Sequence, residues 1–300
     1  VVSLILCYNT LCSKKVFTLR RTDLMVNKIM FGNFKGGVGK TTNSIMTAYE
    51  LAKKGYSVLV CDLDPQSNST QLLSRTYYLQ NDEPLTIEKT LMVALQEKDL
   101  SSAIVKVMDN LFLLPSNKDF VQYPDFLELT IPATTPEYKK ERISYFSKLL
   151  QDFEDQFDFI IFDVPPTLSV FTDTALFASN QIVIVLQTQQ RSLDGAEAFF
   201  EYLQTVYNTY PETDFDIAGV LPVLLKNDSG LDNQIINDAS ETFGEKLVFK
   251  TIVRHMERLK RYDRLGISEQ GYTEKFDFHD RKVHELYSEL VDELIKRVGA

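Results

Sequence analysis

A glycine-rich segment, Gly32–Thr42, has the residue types that bind a phosphate group. Its sequence, GNFKGGVGKTT, lies between an apolar run typical of a strand and a pattern typical of a helix. Small residues let successive backbone N–H groups surround an anion, and the helix adds the positive end of its dipole. Lys40 has the place of the lysine that reaches the β- and γ-phosphates of a nucleotide, and the Thr41 hydroxyl that of a Mg²⁺ ligand. The segment predicts a nucleotide site, against the alternative of a plain glycine-rich turn.

Two residues depart from the common pattern G-x-x-x-x-G-K-[ST]. Phe34 stands where the first glycine is expected, and Gly36 and Gly37 supply flexibility later in the loop. Lys35 adds a second cation at the mouth of the loop. This lysine predicts a contact with the phosphates of its own subunit or of a facing partner, and the alternative is a solvated surface lysine.

Three aspartates, Asp62, Asp64 and Asp163, stand at the ends of two apolar runs, SVLVCD and FIIFD. The carboxyl ends of parallel strands are where open α/β sheets bind ligands, and we expect Asp163 to lie beside the phosphate loop. For one aspartate alone, a helix N-cap or a solvated acid is the simpler interpretation. Three of them at strand ends beside a phosphate loop favour a functional site. Pro165 and Pro166 stiffen the segment after Asp163, as expected of a loop that changes position when a phosphate is lost.

The segment Arg254–Arg264 is the densest basic cluster after the N-terminal residues, although the whole chain carries a net charge of −10. Its basic residues are Arg254, Arg258, Lys260, Arg261 and Arg264. Such a patch can bind nucleic-acid phosphates without regard to sequence. The alternative is a solvated helix face, which is what most charge runs are.

Short apolar runs alternate with amphipathic stretches from Asn27 onward, a pattern typical of βαβ units. The predicted strands are 28–34, 57–62, 111–114, 159–163, 182–186, 216–223 and 248–253, and the predicted helices are 41–54, 141–152, 191–207, 231–243 and 281–297. We therefore expect an α/β fold of the P-loop NTPase class, with a mainly parallel twisted sheet and helices on both faces. Residues 25–300 are expected to form a single domain with surface elaborations near 70–145. Residues 1–24 are interpreted as an upstream extension outside the fold, with Met25 as a plausible native start.

Composition excludes several classes of protein. The 300 residues are 44% hydrophobic and 25% charged, average values that exclude a disordered or collagen-like chain. The three cysteines, Cys7, Cys12 and Cys61, do not form a disulfide framework or a zinc-spaced cluster. We therefore expect a cytoplasmic protein.

Four segments in order resemble the motifs of the ParA/MinD family of P-loop ATPases. They are KGGVGKTT at 35–42, VLVCDLDPQ at 58–66, LFLLPSN at 111–117 and FIIFDVPP at 159–166. The first resembles the family's deviant Walker A motif and the last its Walker B segment. The resemblance extends over almost the whole chain from Asn27, and its overall look is that of the plasmid partition type, the Delta-type proteins of Gram-positive plasmids.

The resemblance implies ATP and Mg²⁺ as cofactors and assigns roles to residues. Lys35, Lys40 and Asp64 would be catalytic, with Lys35 reaching across an ATP-bound sandwich homodimer and Asp64 orienting the attacking water. Thr41, Asp62 and Asp163 would serve the magnesium shell. The nucleotide would be held by Lys35, Gly36, Gly37, Val38, Gly39, Lys40, Thr41 and Thr42. Asn227, which follows a predicted strand, is expected to contact adenine, whereas the later stretch Val253–His255 departs from the family's pattern.

The implied function is DNA partition. An ATP-bound homodimer would bind DNA non-specifically through the Arg254–Arg264 cluster and lie on the nucleoid, and a small centromere-binding partition protein would stimulate slow hydrolysis. Two alternatives stay open, a MinD-like membrane-associated regulator and a metabolic or assembly ATPase without DNA coupling. The C-terminal pattern disfavours the first, because 281–297 carries as many acids as bases, and its apolar stripe predicts packing on the protein body. No membrane partner is expected.

Overall fold

A computed structural model describes residues 26–225, 230–269 and 278–300. Its eight-stranded sheet has the order β3-β4-β2-β5-β1-β6-β7-β8, and every neighbouring pair is parallel except β3 and β4. The strands are β1 Asn27–Gly32, β2 Val58–Asp62, β3 Val105–Met108, β4 Leu111–Leu114, β5 Phe159–Asp163, β6 Gln181–Gln187, β7 Asp216–Leu225 and β8 Val253–Arg254. The predicted fold class is confirmed.

Helices connect the strands and cover both faces of the sheet. They are α1 Lys40–Lys53, α2 Asn68–Asn81, α3 Leu91–Glu97, α4 Tyr123–Thr130, α5 Tyr138–Ile143, α6 Tyr145–Leu150, α7 Val170–Ala178, α8 Gln190–Thr209, α9 Gly230–Phe243, α10 Glu257–Leu265 and α11 Phe278–Val298. Short 3₁₀ helices occupy Ser101–Ala103, Lys118–Gln122 and Glu154–Gln156. The bounds place the phosphate loop between β1 and α1.

The central strand β5 shows how the two cores form. Its residues are all buried, and they alternate between the two faces because strand side chains have a period of two. Ile160 and Phe162 join the core that includes residues of α6, α7 and α8, whereas Phe159 and Ile161 join the core that includes residues of α1 and α11. The sheet is therefore covered on both faces, as its near-continuous apolar strands predict.

The last helix packs on the protein body. In the predicted stripe of α11, Val283, Leu290, Val291 and Leu294 are at most 2% exposed, and Leu286 is partly buried against the same core. The prediction that this stripe belongs to the core is confirmed. No helix in the described ranges is long and apolar enough to cross a membrane.

Several elements differ from the sequence prediction. The helical pattern at 141–152 forms the two short helices α5 and α6, and the run 248–253 gives only the two-residue strand β8 after an isolated bridge between Val248 and Val220. Strand β3 and helices α2, α3, α4, α7 and α10 are not among the predicted elements. Residues 1–24, Met25 and Asn227 lie outside the described residues, so the interpretations placed on them stay predictions.

Candidate nucleotide-binding site

The phosphate loop runs from Asn33 to Gly39 and leads directly into α1. Gly37 and Gly39 have φ angles of +72° and +87°, in the left-handed region where glycine avoids the strain of a Cβ atom. The Asn43 amide closes the first turn by donating from Nδ2 to the Gly39 carbonyl at 2.7 Å. The start of α1 is thus a helix N-terminus reached through a glycine turn, which is the geometry of an anion site.

Phe34 stands where the first glycine of the motif is expected, and its side chain packs against the core. Its ring packs edge-on against Phe199 of α8, with centroids 5.0 Å apart. The glycine that matters for packing is Gly32, because a Cβ there would lie 2.3 Å from the Phe199 ring. Pro166 is another neighbour of the loop, because a Cβ atom added at Gly36 would lie 3.6 Å from the Pro166 side chain. Pro166 therefore lies against the phosphate loop.

Lys40 points into the site. The residue is 6% exposed, and its ammonium donates to the Lys35 carbonyl at 3.3 Å. Burial lowers the pKa of Lys40, and the nearby Asp163 and Asp64 carboxylates oppose that effect. A cation held here beside the loop is placed to neutralise phosphate charge.

Lys35 takes a different direction. Its Nζ donates to Oε1 of Gln189, just before α8, at 2.8 Å and to Oε1 of Gln187, the last residue of β6, at 3.4 Å. Its backbone N–H donates to Asn33 Oδ1 at 2.7 Å, and Asn33 in turn donates to the Val185 carbonyl at 2.8 Å. The Lys40 ammonium therefore lies inside the loop, whereas the Lys35 ammonium lies on glutamine side chains outside it. Different positions agree with different roles for the two lysines.

Asp62 and Asp163 are partners in the register of the adjacent strands β2 and β5. Both are fully buried. Burial raises the pKa of Asp62 to about 8, with the Asp163 charge adding to the effect, and burial raises the pKa of Asp163 to about 6. Buried carboxylates on adjacent strands hold their protons more tightly than carboxylates in water do. Asp64 is 8% exposed, and burial also raises its pKa.

Helix α2 supplies the hydrogen bonds that fix these two carboxylates. The Ser69 hydroxyl donates to Asp163 Oδ2 at 2.6 Å. Thr70 donates to Asp62 Oδ2 from its hydroxyl at 2.7 Å and from its backbone N–H at 2.8 Å. Ser69 and Thr70 are not among the site residues predicted from the sequence. A sequence signal for them exists, because serine and threonine favour the starts of helices. Both residue types occur in the polar segment that follows DLDPQ.

The donor set fits a magnesium ion. Asp163 Oδ1 is buried and has no hydrogen-bond partner among the described residues, and the Thr41 side chain lies close enough to lower the pKa of that carboxyl. No group of three or more His, Cys, Asp or Glu side chains in the described ranges is arranged to hold a metal by itself. Mg²⁺ is usually held by one or two carboxylates together with substrate phosphates and water, so this open set suits it.

The basic cluster divides into buried and exposed residues. Arg254, Lys260, Arg261 and Arg264 are exposed, and Lys260 forms an ion pair with Glu257 at 2.9 Å. Arg258 is only 7% exposed, and its Nε donates to the fully buried Asp280 at 3.1 Å. The expectation that Arg258 belongs to a DNA-contacting surface is corrected, because its guanidinium is used inside the fold.

The cluster lies next to the phosphate loop. The Thr42 side chain, in the first turn of α1, lies close enough to Asp263 of α10 to lower the pKa of that carboxyl, against the larger, opposite effect of burial. Arg75 of α2 donates to the Asp263 carbonyl, and the Ile267 N–H donates to Thr76 Oγ1 at 3.0 Å. Helix α10 is thus hydrogen-bonded to α2 and lies close to the first turn of α1.

Comparisons with known proteins agree with this geometry. The AAA_31 family model, described as an AAA domain, matches residues 26–217. The chromosome-partitioning ATPase Soj of Treponema pallidum (strain Nichols) is 27% identical over 252 residues, which cover 83% of this chain and 90% of that protein. The sporulation initiation inhibitor protein Soj of Bacillus subtilis (strain 168) is 30% identical over 233 residues, 77% of this chain and 85% of that protein.

A solved structure shares the fold. Cobyrinic acid a,c-diamide synthase from Mycobacterium smegmatis, with bound ADP and magnesium, has a TM-score of 0.67 at 23% identity and covers 92% of this chain and 96% of its own. That likeness extends to the fold alone. The family model and the Soj relatives, together with the phosphate loop and the buried aspartates, show that the chain belongs to the ParA/MinD family of P-loop ATPases.

Proposed function

We propose that this chain is a Mg²⁺-dependent ATPase of DNA partition, active as an ATP-bound homodimer that binds DNA without sequence specificity. The observation that carries the proposal is the attachment of the basic helix α10 to α2, the helix that holds the buried aspartates, through the hydrogen bond from Arg75 to the Asp263 carbonyl. The similarity to a chromosome-partitioning ATPase supports the biological setting. A small centromere-binding partner would stimulate slow hydrolysis, and the cargo would be a plasmid.

The chemistry follows from the positions of the charged side chains. Hydrolysis of this kind depends mainly on positioning and on neutralising the charge of the transferred phosphoryl group. Lys40 binds the phosphates from inside the loop, and Lys35 leaves Gln187 and Gln189 to reach the nucleotide of the facing protomer. Asp64, at the rim of the site, orients the attacking water. When bound through Thr41 and Asp163, Mg²⁺ supplies further neutralisation of phosphate charge.

DNA binding is assigned to the exposed face made by Arg254, Lys260, Arg261 and Arg264. The net charge of −10 repels DNA from most of the surface, so a local basic face is needed. Dimerisation brings two such faces together. Because Arg75 and Thr76 of α2 hydrogen-bond to Asp263 and Ile267, a movement of α2 on nucleotide binding would be passed to the basic face by direct contacts.

The test is fluorescence anisotropy of a labelled random-sequence DNA duplex. Wild-type protein is titrated with ATP–Mg²⁺, with ADP–Mg²⁺ and without nucleotide, each at two salt concentrations. We expect binding that requires ATP and weakens steeply with salt, because phosphate contacts release counterions. The variant Arg261→Ala/Arg264→Ala is expected to weaken binding at least about tenfold at low salt, since it removes two phosphate contacts per protomer.

A matched control separates the basic face from total charge. Lys118→Ala/Lys139→Ala removes two exposed lysines outside α10, and it is expected to keep the wild-type affinity within about twofold. Equal losses in the two double variants would show that overall charge, not the α10 face, governs binding. Absence of DNA binding in every nucleotide state would refute the DNA-coupled function, and sedimentation with anionic liposomes would then test the membrane-regulator alternative.

A further inference from the structure

The two buried carboxylates of the site differ in how many of their oxygens are occupied. Asp62 accepts two hydrogen bonds at Oδ2 from Thr70, and its Oδ1 accepts the Asp64 N–H at 3.2 Å. Asp163 accepts the Ser69 hydroxyl at Oδ2, and its buried Oδ1 has no partner among the described residues. The protein therefore satisfies both oxygens of one carboxylate and leaves an oxygen of the other open.

The Ser69 side chain is completely buried, and its hydroxyl forms one short hydrogen bond. Its Oγ lies 2.6 Å from Asp163 Oδ2, a distance typical of a hydroxyl bonded to a charged carboxylate. A carboxylate fixed at one oxygen can rotate less, so the position of its other oxygen is also set. Partners of this kind orient metal ligands, and their loss typically weakens metal binding 10- to 100-fold.

We propose that Ser69 is a positioning residue that holds Asp163 by Oδ2 and presents Oδ1 to the magnesium ion, whereas Thr70 keeps Asp62 out of direct coordination. The proposal rests on the proposed Mg²⁺–nucleotide binding and is independent of DNA binding. It ranks the two aspartates: Asp163 is the protein's carboxylate toward the metal, and Asp62 supports the strand end and the start of α2.

The experiment measures nucleotide binding, not hydrolysis. A fluorescent ATP analogue is titrated onto the full chain at increasing Mg²⁺, and again in EDTA without Mg²⁺. The variant Ser69→Ala removes the hydroxyl that reaches Asp163. The control Ser74→Ala makes the same change in the same helix, where the hydroxyl donates only to the Thr70 carbonyl at 2.7 Å. Thr70→Val removes the hydroxyl that reaches Asp62 and leaves the backbone N–H donor.

We expect Ser69→Ala to raise the half-saturating Mg²⁺ concentration about tenfold or more, with nucleotide affinity in EDTA within twofold of wild type. Ser74→Ala is expected within twofold of wild type, and Thr70→Val within threefold. The proposal is overturned if Ser69→Ala shifts the Mg²⁺ requirement no more than Ser74→Ala does, or if affinity falls equally in EDTA. It is also overturned if Thr70→Val shifts the requirement as much as Ser69→Ala. Wild-type protein that binds nucleotide in neither condition would instead refute the proposed ATPase function and this inference with it.

Discussion

Arg258 and Asp280 form a buried ion pair that ties α10 to α11. The Arg258 Nε lies 3.1 Å from Asp280 Oδ1, and the Tyr262 hydroxyl donates to the same oxygen at 2.7 Å. The side chains of the pair are 6% and 0% exposed, so neither charge has water as its alternative partner. The pair therefore fixes the position of the helix that carries the exposed basic face.

Arg258→Ala is expected to destabilise the fold by about 3–5 kcal/mol, because it leaves the Asp280 charge buried without its cation. Chemical denaturation followed by circular dichroism measures the loss. The same substitution one turn later, Arg261→Ala, removes an exposed arginine and is expected to change the free energy of unfolding by about 0.5 kcal/mol or less.

The two arginines have opposite expected effects on DNA binding. Below its melting temperature, folded Arg258→Ala keeps most of its affinity for DNA, whereas Arg261→Ala loses affinity and keeps its stability. A folded Arg258→Ala protein that fails to bind DNA would contradict the structural role assigned to this residue.

Lys40→Ala is expected to weaken ATP binding about 10- to 150-fold, the loss that corresponds to a charged hydrogen bond of about 1.5–3 kcal/mol. The reason is that Lys40 is the loop's buried cation beside Asp163 and Asp64. Equilibrium binding of a fluorescent nucleotide measures the change. Lys35→Ala is the control, since its ammonium lies on Gln187 and Gln189 outside the inner loop. It is expected to keep nucleotide binding within about threefold and to lose hydrolysis, and equal losses of binding would contradict the division of roles.

Sequence patterns predicted the parts of this site that depend on local chemistry. The phosphate loop, strands β2 and β5 and the aspartates at their ends are legible because apolar runs and strand-end acids are features of a few neighbouring residues. Helix α2 was not predicted because its segment is largely polar, and only Leu72 and Leu73 supply buried aliphatic side chains in it. Its role emerges from contacts with Asp163 of β5 and Asp263 of α10, which lie 94 and 188 residues away in the chain from Ser69 and Arg75.

Arg258 is a second residue whose role could not be predicted from the local sequence. Within 254–264 it is one of five bases and resembles its neighbours. What distinguishes it is Asp280, on the next helix, whose buried carboxylate needs a partner. A pairing across two helices leaves no signal in the local spacing of charges, so only the structure separates the structural arginine from the exposed ones.

Asp64→Ala is expected to trap an ATP-bound dimer, because the residue assigned to orient the attacking water is gone while Lys40 and Asp163 still bind the nucleotide. Size-exclusion chromatography with light scattering, run in ATP–Mg²⁺, measures the mass. The double variant Lys40→Ala/Asp64→Ala, whose affinity for ATP is lowered as in Lys40→Ala, is expected to stay monomeric at an ATP concentration that saturates only Asp64→Ala. A monomer for Asp64→Ala in ATP would refute the assigned role.

Asp173 of α7 predicts a pH dependence of stability. Its carboxylate accepts a hydrogen bond from the Tyr202 hydroxyl, and burial raises the pKa of Asp173 to about 6, above its ordinary value of 3.8. A raised carboxyl pKa means that the folded state prefers the protonated form. Stability is therefore highest below the ordinary pKa and falls as the pH rises toward about 6, where the native carboxyl also ionises.

Asp173→Asn removes this dependence and keeps an oxygen for Tyr202. The free energy of unfolding of the variant minus that of wild type is expected to be about 1–2 kcal/mol larger at pH 7.5 than at pH 4.5, since each pKa unit corresponds to about 1.4 kcal/mol. Urea denaturation of both proteins at the two pH values measures the difference. If the difference in free energy of unfolding between the two proteins is the same at both pH values, Asp173 has an ordinary pKa in the folded protein. Burial beside Tyr202 then does not disfavour the ionised carboxylate.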